Sequence, residues 1–372
     1  MRDSPRSVPF FDYPGLFSER KDEYLEVIST VLSGGRFILQ EELEQFEAHL
    51  AEYMGLRHAI GVGNGTDAIV IGLHAIGIGS GDEVILPSHT FVATAAAVKQ
   101  VGATPILVDV GDDHMIDPLC VESAVTERTK AIVPVHLNGR TCDMEALTGI
   151  AEAYGLLIME DAAQGLGSRF RGRMAGTFGA AGSLSFYPAK LLGCFGDGGA
   201  VVTNDDLLAE RVRQLRDHGR SDDGGVAQWS YNSRLDNLQA AVLDLKLGFF
   251  PEAIEKRRNW AALYHSRLSR HEGLLLPPEP VDGDHFDVFQ NYELESPQRD
   301  ELRVHLQDHG IGTIIQWGGS AVHQFPHLGF GSLDLPITER IMENSLLLPM
   351  NDSVTEADVS YVCDTIDLFF GS

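Results

Sequence analysis

The segment Ser183-Leu-Ser-Phe-Tyr-Pro-Ala-Lys190-Leu-Leu-Gly-Cys-Phe-Gly-Asp-Gly-Gly-Ala200 sets a lysine between an apolar strand and a glycine-rich turn. Burial lowers an amine's pKa and makes it a nucleophile for Schiff-base chemistry. A solvated loop lysine is the plain alternative. The run Ile158-Met159-Glu160-Asp161-Ala162-Ala163-Gln164 lies upstream, with Asp161 29 residues before Lys190. There an apolar strand ends in a carboxylate, and open α/β sheets bind ligands beyond the carboxyl ends of their strands. Such an acid suits the pyridinium nitrogen of pyridoxal phosphate, whose protonated ring is an electron sink. Its other reading is an N-cap for a following helix.

Two further motifs follow strands. Gly61-Val-Gly-Asn-Gly-Thr-Asp67 joins a strand to a helix, so the amides of Gly65 and Thr66 face an anion, with the Thr66 hydroxyl beside them. The glycine spacing is G-x-G-x-G, and Glu83 opens a strand where a dinucleotide site needs an acid closing one. The Rossmann fingerprint therefore fails, and a tight turn is the alternative. In Pro87-Ser-His-Thr-Phe91 the aromatic ring either stacks on a planar cofactor or packs in the core.

The elements that position these residues alternate. Short apolar runs at 58–62, 83–86, 105–108, 131–136, 157–160, 183–186 and 200–203 read as strands buried on both faces. Helical patterns at 66–76, 90–101 and 143–154 lie between them. This rhythm predicts a doubly wound, mainly parallel seven-stranded sheet flanked by helices. Ahead of it, a helix over 18–32 is broken by Ser33-Gly34-Gly35-Arg36, and an amphipathic helix spans 41–53. After Asp206 the rhythm changes. A helical region runs over 237–270, with Pro251 expected to kink or split it. A strand near 289–294, a helix over 299–309, a strand over 312–315 and helices over 338–346 and 355–370 follow. Residues 1–249 read as a large domain with an N-terminal helical segment, and 250–372 as a smaller α/β domain.

Composition bounds the function. The chain has 372 residues, 44% of them hydrophobic, and a formal net charge of −26. Such a surface repels nucleic acid and anionic membranes at long range. No apolar run reaches the ~18 residues of a transmembrane helix, and the stretch MRDSPRSVPFFDYPG lacks the apolar core of a signal peptide. Cys120, Cys142, Cys194 and Cys363 are widely spaced, which suggests neither a zinc site nor a disulfide framework. No metal is expected, and a reducing cytoplasm is the expected setting.

Taken in order, these motifs resemble the DegT/StrS-type nucleotide-sugar aminotransferases, a branch of the fold-type I pyridoxal-phosphate enzymes. The resemblance runs from about Gly34 to the C-terminus. It includes Gly34-Gly35-Arg36-Phe37, Gly65-Thr66-Asp67-Ala68, Pro87-Ser88-His89-Thr90-Phe91, Glu160-Asp161-Ala162-Ala163-Gln164, Lys190, Gly198-Gly199, Tyr231-Asn232-Ser233-Arg234-Leu235, Leu335-Pro336-Ile337-Thr338-Glu339 and Leu348-Pro349-Met350.

The resemblance implies that Lys190 is the Schiff-base lysine and proton shuttle. It implies that Asp161 pairs with the pyridinium nitrogen, Gln164 with the ring hydroxyl one helical step on, and that Phe91 stacks on the ring. Gly65, Thr66 and Ser185 hold the phosphate. Asn232, after the loop Ser221–Gly225, reaches the phosphate of the neighbouring subunit, so a homodimer with shared active sites is implied. Tyr187, Trp317 and His323 are candidate contacts to the sugar nucleotide.

Members that aminate C-3 of the sugar often carry His-Tyr-Pro and a further His where this chain reads Ile314-Ile-Gln-Trp-Gly-Gly-Ser-Ala-Val-His323. The departure tilts the expectation toward C-4 of a dTDP-4-keto-6-deoxyhexose, with L-glutamate as amine donor. The product would serve deoxyamino-sugar, antibiotic or polysaccharide biosynthesis. C-3 amination of a 3-keto sugar nucleotide and amination of a cyclitol ketone are the same-class alternatives. Sugar 3-dehydratases of the family carry a histidine in place of the lysine, which Lys190 argues against. A non-catalytic regulator on the same fold and a nicotinamide-dependent oxidoreductase are alternatives of other classes.

Overall fold

The computed structural model describes residues 6–221 and 223–371. The first five residues of the stretch read above for a signal peptide, Asp222 of the Ser221–Gly225 loop, and Ser372 lie outside that range. The strands are β1 (His58–Val62), β2 (Glu83–Pro87), β3 (Thr104–Val108), β4 (Thr129–Ile132), β5 (Leu157–Asp161), β6 (Arg169–Phe170), β7 (Arg173–Met174), β8 (Ala181–Ser185), β9 (Gly199–Thr203), β10 (His285–Phe286), β11 (Tyr292–Glu295) and β12 (Ser345–Leu348).

The seven expected strands form one sheet, in the order β1-β9-β8-β5-β4-β2-β3. β9 runs antiparallel to both neighbours, and the other pairings are parallel. The strand expected over 131–136 leaves the ladder at Ile132. Pro134 has no N–H to give, although its carbonyl still accepts the Asp161 N–H at 2.9 Å. The carboxyl ends of β1, β2, β5 and β8 and the start of β9 share one edge, because Ser185 and Val62 both pair with Gly199 and Asp161 pairs with Ser183.

Helices cover both faces. The helix Gly65–Ala75 buries Ala68, Ile69, Val70, Ile71 and Leu73. It is apolar nearly all round because it lies between the sheet and two other helices, Val92–Gln100 and Asp206–Arg216. On the other face, Leu43, Phe46 and Leu50 of Glu41–Met54 pack with Leu184, Phe186 and Leu243. None of the helices is long and apolar enough to cross a membrane among the described residues.

Pro251 does split the long helical region. Asn237–Leu247 ends, and Phe250–Leu268 begins with Pro251 in its first turn, where a missing N–H costs nothing. A second core forms where Phe250–Leu268 and Glu356–Phe370 pack over the antiparallel pair β11–β12, and Val8 joins it from the N-terminal segment.

Two expectations in this part are corrected. The helix expected over 338–346 is Pro336–Asn344, and Ser345–Leu348 is strand β12. Consecutive apolar residues there are buried on both faces, which suits a strand better than a one-sided helix. The strand expected over 312–315 reduces to single bridges, Ile311 with Val8 and Ile314 with Leu347. The small third sheet sets the hairpin β6–β7 beside β10. Its turn residues Arg171 and Gly172 both have positive φ, as a tight two-residue hairpin requires.

Candidate active site

At the shared strand edge lies a cavity of about 800 Å³, lined in part by Gly65, Thr66, Phe91, Asp161, Gln164, Ser185, Tyr187, Lys190 and Trp317. Nine of the residues singled out in the sequence thus meet in one place. Asn232 and His323 do not line it.

The anion loop is built by close backbone approach. Asn64 caps the helix Gly65–Ala75 by accepting the Asp67 N–H at 2.8 Å. The amides of Gly65 and Thr66 belong to the first turn and have no intrahelical acceptor. A Cβ on Gly65 would stand 2.6 Å from the Cβ of Ser185, and one on Gly199 would stand 2.4 Å from the Asn64 carbonyl oxygen. Glycine at both places lets β8 and β9 close on the helix start. The Ser233 hydroxyl pins the loop from beneath, accepting the Gly63 N–H at 2.9 Å and donating to Asp67 at 2.6 Å.

Asp161 is buried at the end of β5. Its Oδ2 accepts the Thr94 hydroxyl at 2.8 Å, and its Oδ1 accepts the Ala163 N–H at 3.1 Å. Thr94 spends its proton on Asp161, so it accepts from Thr90 at 2.8 Å. The N-cap alternative for Asp161 is not what forms: residues 163–167 are turns, and Gln164 sits on a turn and not on a helix. Phe91, just before the helix Val92–Gln100, is 55% exposed at the cavity.

Lys190 lies in the tight loop after β8 and donates its N–H to the Tyr187 carbonyl at 2.8 Å. Burial pulls its amine down to about 8, and the nearby Asp161 carboxylate partly opposes that fall. Among the described residues that line the cavity it is the one lysine or arginine. Gln290 spans the loop from outside the sheet: its Oε1 accepts the Leu191 N–H at 2.7 Å and its Nε2 donates to the Ala189 carbonyl at 2.8 Å.

A polar network backs the cavity. Gln164 Oε1 accepts the Asn138 N–H at 2.9 Å and the Asn291 side-chain amide at 3.4 Å. That turns its Nε2 amide, a pure donor, away from both of these partners. Asn138 donates to Glu293 at 2.6 Å. His114 bridges Glu293 at 2.9 Å and Glu295 at 3.1 Å. Burial alone would depress the His114 imidazole, but its bonds to the two glutamates outweigh that and hold it at about 9. His89 packs edge-on against both His114 and Trp317, and burial drops it to about 4.

Trp317 has a φ of 50°, uncommon for a bulky residue, and begins a left-handed run with Gly318 and Gly319. Tyr187 is 53% exposed. His323 is buried, its ring held by Ser88 at 2.7 Å and Glu339 at 3.3 Å. Asn232 is exposed and bridges Asp217. Thr94, Asn138, Gln290 and Asn291 carried no signal in the sequence. Each is a small polar residue whose partner lies a large part of the chain away.

The arrangement can hold an anion at the helix start, present a nucleophilic amine, and set a carboxylate and an aromatic face beside it. A profile of the DegT/DnrJ/EryC1/StrS aminotransferase family matches residues 18–367. The dTDP-3-amino-3,4,6-trideoxy-alpha-D-glucose transaminase of Streptomyces venezuelae is 43% identical over 368 residues, 98% of this chain and 96% of that protein. A Geobacillus stearothermophilus protein named pleiotropic regulatory protein is 42% identical over 368 residues, 98% of this chain and 99% of its own. The crystal structure of S. venezuelae DesV matches with a TM-score of 0.94 at 42% identity, covering 98% of this chain and 99% of that one.

Proposed function

The chain belongs to the DegT/DnrJ/EryC1/StrS aminotransferase family, and from that premise we propose that it moves an amino group from L-glutamate to C-3 of a dTDP-linked 3-keto-6-deoxyhexose. It is a pyridoxal-phosphate-dependent transaminase of nucleotide sugars. The cofactor, when bound, supplies the electron sink for both half-reactions.

The observation that carries the reading is the convergence of Lys190, Asp161, Gly65 and Ser185 on one cavity. The amides of Gly65 and Thr66 and the Ser185 hydroxyl hold the phosphate, in a cradle that a Cβ on Gly65 would fill. Asp161, fixed by Thr94 and Ala163, would keep the pyridinium nitrogen protonated. Gln164 would offer its Nε2 amide to the ring hydroxyl, and Phe91 would cover the ring. Lys190 would hold the cofactor through its amine and would serve as the base that moves the substrate proton. An amine near 8 is partly unprotonated at neutral pH, as a general base must be.

Tyr187 and Trp317 border the space left for the sugar nucleotide. The partner subunit's Asn232 completes the phosphate site, consistent with its exposure and with the exposed apolar Leu25, Leu32, Phe37 and Trp229, which suit a face covered by a second copy. Lys190 and Asp161 at one cavity oppose a purely regulatory role, which the name of the G. stearothermophilus relative raises.

C-3 is preferred because the S. venezuelae relative, alike over nearly the whole chain, is named for a 3-amino product. A second reading, amination at C-4 of a dTDP-4-keto-6-deoxyhexose, is favoured by Gln316 and Trp317. They line the cavity in the stretch where C-3 members more often carry His-Tyr-Pro. Incubating holoenzyme and glutamate with each keto-sugar nucleotide, and locating the new amine by NMR, tests both. Product from the 4-keto isomer alone would replace the first reading with the second.

A further inference from the structure

Lys190 sits in a loop that returns on itself. A Cβ on Gly193 would lie 2.8 Å from the carbonyl oxygens of both Tyr187 and Pro188 and 3.0 Å from that of Lys190. The Cys194 N–H closes the loop on the Phe186 carbonyl at 2.8 Å. Within it, the peptide groups on either side of Lys190 turn outward, and both meet Gln290. Its one amide accepts from Leu191 at 2.7 Å and donates to Ala189 at 2.8 Å.

Gln290 is itself held in place. It is buried, and its carbonyl accepts from the Arg257 guanidinium at 2.9 Å. The preceding Phe289 has a φ of 52°, a left-handed conformation that a bulky residue adopts only where its surroundings impose it. Gly139 makes room for it here. A Cβ on Gly139 would stand 2.6 Å from the backbone nitrogens of both Phe289 and Gln290, and its carbonyl accepts the Val288 N–H at 2.9 Å. A side chain with one acceptor and one donor at that reach is what the two peptide groups need. Met has the length without either bond, and Asn has both groups on a shorter stem.

We propose that Gln290 is a positioning residue for Lys190, fixing the peptide groups on both sides of it so that the amine enters the cavity in one direction. The inference rests on the assignment of Lys190 as the lysine that bonds the cofactor. Gln290 borders the cavity, but its side chain hydrogen-bonds the lysine loop and not Asp161, so its effect passes through the lysine. Without it the loop's peptide planes turn toward other partners and the amine loses its aim. A misplacement of about 1 Å at a reacting group costs on the order of 10²-fold in rate.

The test uses holoenzyme carrying Gln290→Met or Gln290→Asn, with Lys190→Ala alongside. The single-turnover rate with glutamate, its KM, and the midpoint of the pH titration of the bound cofactor's visible band are measured. A folded variant is expected to lose about 10- to 100-fold in rate, to keep KM for glutamate within about threefold, and to shift the spectral midpoint. Should the Met variant fail to fold, the Asn variant gives the same readings. An unchanged rate, or an unmoved midpoint, overturns the inference, as does a loss confined to thermal stability. If Lys190→Ala still fixes the cofactor under borohydride, the lysine assignment itself fails. If it does not, while the Gln290 variants behave as wild type, only the present inference falls.

Discussion

Thr94 donates its hydroxyl proton to Asp161 at 2.8 Å, and no element of the sheet itself makes that contact. The helix that follows β2 thus fixes the carboxylate at the end of β5. Asp161→Asn keeps the shape and removes the charge, so the pyridinium proton is no longer held. A loss on the order of 10³-fold in turnover is expected. Thr94→Val leaves the carboxylate charged but loosely aimed, and about a tenfold loss is expected. Single-turnover rates check both; near-native turnover in Asp161→Asn would remove the assigned role.

Gly65→Ala should weaken the cofactor and spare the fold. The added methyl would lie 2.6 Å from Ser185 Cβ and 3.3 Å from Ser185 Cα. Those atoms are part of β8 or next to its backbone, so they yield little. Overpacking of this kind costs about 1–3 kcal/mol, here expressed as a fall of about tenfold or more in cofactor affinity. Titrating the cofactor-free variant with pyridoxal phosphate reads it. Unaltered affinity would mean that the phosphate does not sit between Gly65 and Ser185.

Those residues were legible in the sequence because each ends an apolar run with a residue type out of keeping with it: glycines after β1, an acid closing β5, a lysine after β8. A parallel sheet brings such ends to one edge, so chain order was enough to gather them. The supporting residues were not legible. Gln290 lies 100 residues from Lys190, and a glutamine that grips a loop looks in the sequence like any surface amide. His323, a candidate sugar-nucleotide contact on the family resemblance, turns its ring into bonds with Ser88 and Glu339 and does not line the cavity. The helix expected over 338–346 runs into Ser345 and Leu346 of β12, since a four-residue apolar run has no period of its own.

The His114 pair with Glu293 and Glu295 makes stability fall at alkaline pH. His114 titrates at about 9 in the folded protein against 6.5 as its ordinary value. A raised pKa means that the folded state binds the proton more tightly, so the contribution is complete below 6.5 and is lost as pH climbs through 9. His114→Gln should therefore cost on the order of 3 kcal/mol near pH 6, and much less above pH 9. Denaturant midpoints of both proteins across this range decide it. A constant gap would mean that the imidazole is neutral in the fold.

Asn232 is exposed and lies outside the cavity of its own chain. If it serves the partner's phosphate, Lys190→Ala and Asn232→Ala are each inactive, yet a hybrid dimer places both defects in one site and leaves the other whole. Random exchange gives hybrids in half the dimers, so mixing should restore about one quarter of wild-type activity. Proven exchange without recovery would count against sharing.

Lys190 has the opposite pH signature to His114, and the cofactor-free protein exposes it. Its amine titrates at about 8 in the fold and at 10.5 ordinarily. Below 8 both states carry the proton, and the fold bears the cost of burying a charge. Between 8 and 10.5 the unfolded chain binds a proton that the native state lacks, so stability rises with pH. Lys190→Met fills similar space without charge. It should exceed wild type by on the order of 1–3 kcal/mol at pH 7, and the advantage should fade as pH approaches 10.5. Loading with pyridoxal phosphate should abolish the effect in wild type alone, because the bonded nitrogen no longer titrates as a free amine. Thermal unfolding of the four samples across pH 7–10.5 measures it, and a gap that does not change with pH would show that the amine is solvated and not buried at the cavity wall.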